Sequence, residues 1–99
     1  MKIWLDDLRK APEGYTWCHS VNEAISVIET SGKKAITDID LDHDLGDYSK
    51  DGGDGIKLID WCIENDFYPN VKLHTANPVG RNNMLRTIKR YWKWKEQGN

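Results

Sequence analysis

Three short stretches of this 99-residue chain hold the residues best able to do chemistry: Trp4-Leu-Asp-Asp-Leu-Arg9, Leu41-Asp-His-Asp-Leu-Gly46 and His74-Thr-Ala-Asn77, with Arg81 about one helical turn further on. Asp6, Asp7, Asp42 and Asp44 are hard oxygen donors. Gathered at one point they repel, since two unit charges 4 Å apart cost roughly 4 kcal/mol at an effective dielectric near 20. A divalent cation offsets that repulsion most simply, and an all-oxygen set completed by water suits Mg²⁺ or Mn²⁺. The alternative is a carboxyl that stays protonated, as in a carboxylate dyad. His43 and His74 are the candidates for moving a proton, with Asp42 the deepest of the acids. Neither histidine has HxH or HExxH spacing, so the pattern does not point to zinc. Thr75 and Asn77 offer hydroxyl and amide donors, and the Arg81 guanidinium can fork onto phosphate oxygens. Arg9 either closes the same site from the opposite side or neutralises the acids beside it.

These residues need a scaffold that brings distant stretches to one place. Lys2 to Asp6 reads as a buried strand with a polar tip, and Tyr15 to His19 as a second β-prone run. Ser20-Val-Asn-Glu23 has the S-x-x-E pattern of a capping box, and Val21, Ala24, Ile25, Val27 and Ile28 follow at helical spacing until Ser31-Gly32. Lys34 to Leu45 reads as a third strand, and the glycine-rich segment Gly46 to Gly55 as a mobile polar loop placed to act as a lid. A second amphipathic helix runs through Ile56, Leu58, Ile59, Cys62 and Ile63, and Val71 to Ala76 is a fourth strand. Asn77-Pro78 caps a last helix with an apolar stripe of Met84, Leu85, Ile88, Tyr91 and Trp92. The alternation predicts an α/β domain: a mostly parallel sheet of about four strands with about three helices on its faces. The first connection is short for a parallel crossover, so either a compact irregular crossover or an antiparallel edge strand follows. Ligands of such sheets bind outside the carboxyl ends of the strands, where the acidic and histidine-bearing stretches all fall.

Composition supports a single folded domain over residues 1–99, with 38% hydrophobic and 30% charged residues and five tryptophans. Cys18 and Cys62 have no CxxC spacing and read as reduced core residues of a cytoplasmic protein. No stretch approaches the roughly 18 apolar residues that a membrane span needs. The net charge is −2, yet ten of the sixteen acids lie between residues 38 and 66, and residues 81–95 hold six basic side chains and no acid. The acidic centre suits a cation; the basic stretch suits an anionic partner or is simply a solvated helix face.

The order of these motifs resembles a receiver domain, the phosphoacceptor module of two-component signalling: an acidic pair after the first strand, Asp42 after the third and Thr75-Ala76 after the fourth. The helix after the first strand and the fifth strand with its lysine have no counterpart. The chain is closer to the compact cyclic-phosphate-processing receiver domains, which it resembles through WLDDLR at 4–9, LDHDLG at 41–46 and HTANPVGRNNM at 74–84. That resemblance implies a receiver-like, flavodoxin-like fold and the processing of cyclic phosphates in RNA repair or nucleotide metabolism. Three functions are therefore expected to compete. The first is a metal-dependent phosphoesterase that opens a cyclic phosphate on a nucleotide or RNA end, with Asp6, Asp7, Asp42 and Asp44 holding the cation, His43 or His74 protonating the leaving oxygen, and Thr75, Asn77, Arg81 and Arg9 at the phosphate. The second is a binder that sequesters a phosphate-bearing nucleotide, using Tyr48, Trp92 and Trp94 to stack a base. The third is a phosphoacceptor with Asp42 as its target. RNA contact through Arg86, Lys89, Arg90, Lys93 and Lys95 is compatible with the first two.

Overall fold

The period-2 pattern of Lys2-Ile-Trp-Leu and Asp38-Ile-Asp-Leu decides the architecture. Ile3, Leu5, Ile39 and Leu41 are buried, whereas Lys2 is exposed and Trp4, Asp38 and Asp40 are only half-buried, so one face of the sheet meets the core and the other does not. The computed structural model describes the backbone of residues 1–97 and the side chains of residues 1–92. Strands β1 (Lys2–Leu5), β2 (Tyr15–Cys18), β3 (Asp38–Leu41) and β4 (Asn70–Leu73) form one sheet in the order β2-β1-β3-β4, every pair parallel. Helices α1 (Val21–Ser31), α2 (Ile56–Glu64) and α3 (Pro78–Gln97) pack in a row against the buried face. The expected covering of both faces is thus corrected: the helical layer is one-sided, because the alternating strands offer an apolar surface on that side alone.

The second strand is parallel, and its connection is the compact crossover of the two alternatives. A strand of four residues spans roughly 13 Å and nine extended residues reach about 30 Å, so residues 6–14 can return without a helix. The return lies over the open face, where the Trp4 indole N–H donates to the Arg9 carbonyl at 2.8 Å and Trp4 meets Tyr15 edge-on at 6.0 Å.

Strand β3 is shorter than expected. Lys33–Ala35 form a 3-10 turn before it, and the chain leaves the sheet after Leu41. Helix α1 begins as expected, with the Glu23 N–H donating to Ser20 Oγ at 3.1 Å. The Glu23 carboxylate, however, accepts from the N–H of His19 at 3.0 Å rather than from that of Ser20. Val21, Ala24 and Ile28 of α1, Leu58, Ile59 and Cys62 of α2, and Met84 of α3 complete the core, with Ile88 and Trp92 packed against it. Leu85 and Tyr91 fall off the predicted stripe, Tyr91 being 36% exposed, since the core-facing positions of α3, Met84, Ile88 and Trp92, recur four residues apart. Both cysteines are free and buried, with thiols pushed up to about 12 by burial; they are inert core residues. Among the described residues no helix is long and apolar enough to cross a membrane.

Segment 46–55 is fastened rather than mobile, which corrects the lid. Gly46–Lys50 form a 3-10 turn, and beyond it the Asp51 carboxylate accepts from Ser20 Oγ at 2.6 Å and Asn22 Nδ2 at 3.1 Å, while its carbonyl accepts from the Asn22 N–H. The other end is held by the Gly55 N–H on the His43 carbonyl at 2.7 Å and the Leu45 N–H on Asp54 Oδ1 at 3.1 Å. The segment is a strap from the end of β3 to the start of α1.

Candidate functional site

The parallel ladder explains why distant side chains meet. Leu5 is in register with Cys18 and Leu41, and Leu41 with Leu73, and the pairing continues one residue further: the N–H of Asp6 donates to the Cys18 carbonyl, that of Asp42 to Leu5, and that of His74 to Leu41. His19, Asp6, Asp42 and His74 are therefore neighbours in one row across the strand ends, each two residues beyond a strand position on the open face, Trp17, Trp4, Asp40 and Lys72. With strands about 4.8 Å apart, the row gathers these groups regardless of their distance in sequence.

Asp6, Asp7 and Asp42 each bring a carboxylate oxygen within 4.8 Å of the others. Asp6 is 1% exposed. Burial works against its charge, but the backbone N–H groups of Arg9 and Leu8, both 2.8 Å from Oδ1, and His74 outweigh it and hold the carboxyl below the ordinary carboxylate range. Asp42 Oδ1 accepts from the His43 N–H at 2.7 Å. Asp7 has least compensation: burial, then the charges of Asp6 and Asp42, raise its carboxyl above the ordinary value against the pull of its own backbone N–H.

A carboxyl raised in this way costs the fold stability while it is ionised, and the cost vanishes below the unfolded value near 3.9, where the group is protonated in both states. In a chelator at pH 7, Asp7→Asn is expected to gain about 1 kcal/mol, or about 4–8 °C in melting temperature for a domain of this size. The gain shrinks as the pH falls to about 4. An unchanged or lower melting temperature at pH 7 contradicts this account of the cluster.

His74 lies between two carboxylates, with Nε2 2.9 Å from Asp6 Oδ2 and Nδ1 2.7 Å from Asp40 Oδ1. Both ring nitrogens are thereby engaged, and which of them donates depends on the tautomer. The ring is also stacked on Trp4, centroids 3.8 Å apart and planes within 3°. Asp40 and Trp4 had no expected place in the site; their signal is the strand alternation that puts both on the face of Asp6 and Asp42.

Asp44 does not join the other three acids. The chain turns after Asp42, and the Asp44 carboxylate instead accepts from Asn77 Nδ2 at 3.1 and 3.2 Å and lies 2.8 Å from His43 Nδ1, contacts that hold its carboxyl below the ordinary range, His43 contributing most. His43, Asp44 and Asp54 form a second group within 4.8 Å. His43 packs against Gly80, where an added Cβ would meet the ring at 2.5 Å.

Thr75 Oγ1 accepts from the Asn77 N–H at 3.1 Å, and Asn77 Oδ1 caps α3 by accepting from the Gly80 N–H at 3.0 Å. Arg9 and Arg81 converge on the end of β4: Arg9 donates to the His74 carbonyl at 3.1 Å and Arg81 to that of Leu73 at 3.4 Å. Both are exposed, flanking the rim rather than neutralising the acid cluster. Farther along α3, Arg86 and Arg90 share a groove with Asp60 and Glu64 of α2, so that part of the basic stretch lies beside acids. Lys93, Trp94 and Lys95 lie outside the described side chains.

A four-stranded parallel sheet with acidic groups at the carboxyl ends of β1 and β3 and Thr75-Ala76 after β4 defines a receiver-like module. The chain belongs to the family of cyclic-phosphate processing receiver domains, whose model matches residues 1–90. Comparisons with curated proteins and with solved structures give no significant match.

Proposed function

We propose that this protein is a divalent-metal-dependent phosphoesterase that opens a cyclic phosphate on a nucleotide or RNA end. The observation that carries the reading is the convergence of Asp6, Asp7 and Asp42 within 4.8 Å, where burial and then the charges of Asp6 and Asp42 raise the Asp7 carboxyl above its ordinary value. Three oxygen donors, two of them with lone pairs largely uncommitted, fit Mg²⁺ or Mn²⁺ better than the second group, whose Asp44 is already held by His43 and Asn77. Asp7 and Asp42 would hold the cation directly, and Asp6, whose oxygens already accept three hydrogen bonds, would give it a remaining lone pair. A cation held there would supply positive charge against a phosphoryl group and make bound water a stronger nucleophile.

The chain's own residues divide the remaining work. His74 orients Asp6 through Nε2 while Asp40 anchors its far side, which makes it a positioning group rather than a free acid. Proton delivery to the leaving oxygen then falls to His43, whose Nδ1 is oriented by Asp44. Arg9 and Arg81, exposed on the two flanks of β4's end, can turn from their carbonyl partners onto phosphate oxygens. Purified protein with Mn²⁺ or Mg²⁺ is expected to turn over 2′,3′-cyclic nucleotides or a cyclic dinucleotide, read by chromatography of the products. Bound metal with no turnover across that panel contradicts hydrolysis.

The engagement of both His74 nitrogens favours one further reading, a non-catalytic binder of a phosphate-bearing nucleotide. In that case the ligand is recovered unchanged when the protein is denatured.

A further inference from the structure

Next to Asp6 in the row of strand ends stands His19, a residue the site has not so far used. Its ring is stacked on Trp17, with centroids 4.5 Å apart and planes at 27°, and Tyr48 continues the series 5.4 Å beyond at 33°. The three rings come from β2, its end and the strap, so they form a wall that runs along the β2 side of the acid cluster. Two contacts fix its position relative to that cluster. The Trp17 indole N–H donates to the Asp6 carbonyl at 2.8 Å, and Gly46, two residues before Tyr48, lies so close to Asp7 that an added Cβ would sit 2.6 Å from its Oδ2.

The backbone that carries the wall is fastened, and the wall ends on an open surface. Glu23 takes the His19 backbone N–H and lies 3.4 Å from its Nδ1. Tyr48 is held by the 3-10 turn, its N–H on the Leu45 carbonyl and its own carbonyl accepting from Asp51, which is in turn tied to Ser20 and Asn22. Yet Tyr48 is 46% exposed. An exposed tyrosine ring on a fastened backbone has only two side-chain torsions to lose when a flat partner covers it, and such platforms bind nucleobases with little regard to sequence.

We propose that Trp17, His19 and Tyr48 form a stacking wall for a nucleobase, so that the substrate of the acidic rim is a nucleoside cyclic phosphate and not a base-free cyclic ester. This rests on the reading of the rim as a phosphate site and adds the residues that would hold the base of its substrate. The phosphate would lie at the rim beside a cation held by Asp6, Asp7 and Asp42, and the base would continue the series outward from Tyr48.

The test measures affinity in Mn²⁺, by calorimetry, for two slowly hydrolysed 2′,3′-cyclic phosphorothioates, one of a nucleoside and one of ribose alone, in the wild type and in Tyr48→Ala and Tyr48→Phe. The wild type is expected to prefer the nucleotide about tenfold or more, the preference to fall about tenfold in Tyr48→Ala, and Tyr48→Phe to keep it. Equal affinity of the wild type for both ligands, or a preference that Tyr48→Ala leaves intact, overturns the wall while sparing the rim. Binding of neither ligand overturns the rim as a phosphate site and the wall with it.

Discussion

Asp42→Asn is expected to fold as the wild type does and to lose at least about 100-fold in the proposed cyclic-phosphate turnover. The asparagine oxygen can still accept the His43 N–H that Asp42 Oδ1 takes at 2.7 Å, and the backbone bond from residue 42 to the Leu5 carbonyl is untouched. What disappears is one of the negative charges that, on the proposed reading, would draw a cation to the cluster. Supporting groups around metal sites already cost 10- to 100-fold when removed, and a direct ligand costs more. The melting temperature in chelator should hold or rise, since one like charge is gone from beside Asp6 and Asp7. Turnover within a few-fold of the wild type, with the fold intact by circular dichroism, contradicts Asp42's place in the chemistry.

The largest effect on stability is expected at Gly55. Its backbone has φ −54°, a helical value that alanine adopts freely, so space alone decides the outcome. An added Cβ would collide with the Asp42 carbonyl oxygen and crowd Cα of His43 at 3.2 Å. These are backbone atoms at the point where the chain leaves β3, and the Gly55 N–H is itself bonded to the His43 carbonyl. Neither side can yield without moving Asp42 or the start of α2. Overpacking of that kind costs about 1–3 kcal/mol and more against rigid backbone; about 3 kcal/mol lowers the melting temperature by roughly 12–24 °C here. Gly14, where an added Cβ meets nothing within 4 Å, is the comparison: Gly14→Ala bears only the penalty of its positive φ. A Gly55→Ala protein as stable as Gly14→Ala contradicts the described packing under β3.

Much of the scaffold was legible because it rests on period and punctuation. The stripe of Val21, Ala24 and Ile28 after Ser20 and the stop at Gly32 name α1 almost to the residue. The rim was legible too, since a parallel sheet sends each strand's last residue to the same edge. Other features were not, for physical reasons. Alternation tells which way a side chain points only while the strand lasts, and β3 ends at Leu41, so nothing in the spacing of Asp42 and Asp44 showed that the second would turn to Asn77. Glycines at 46, 52, 53 and 55 look like flexibility, but three of them take positive φ in a turn that Asp51 pins to α1. Here glycine serves close approach, to Asp7 at Gly46 and to Asn22 at Gly52. The open face was legible in principle: Asp38-Ile-Asp-Leu alternates as a one-sided strand does, where a strand covered on both faces runs continuously apolar.

Saturation of the protein with Mn²⁺, followed by the loss of the free-ion electron paramagnetic resonance signal, tests the central claim most directly. The account predicts saturable binding that Mg²⁺ competes away, that Asp42→Asn and Asp7→Asn abolish, and that Asp44→Asn retains because Asp44 belongs with His43 and Asn77. No saturable binding at millimolar Mn²⁺, or binding lost in Asp44→Asn but kept in Asp42→Asn, contradicts it.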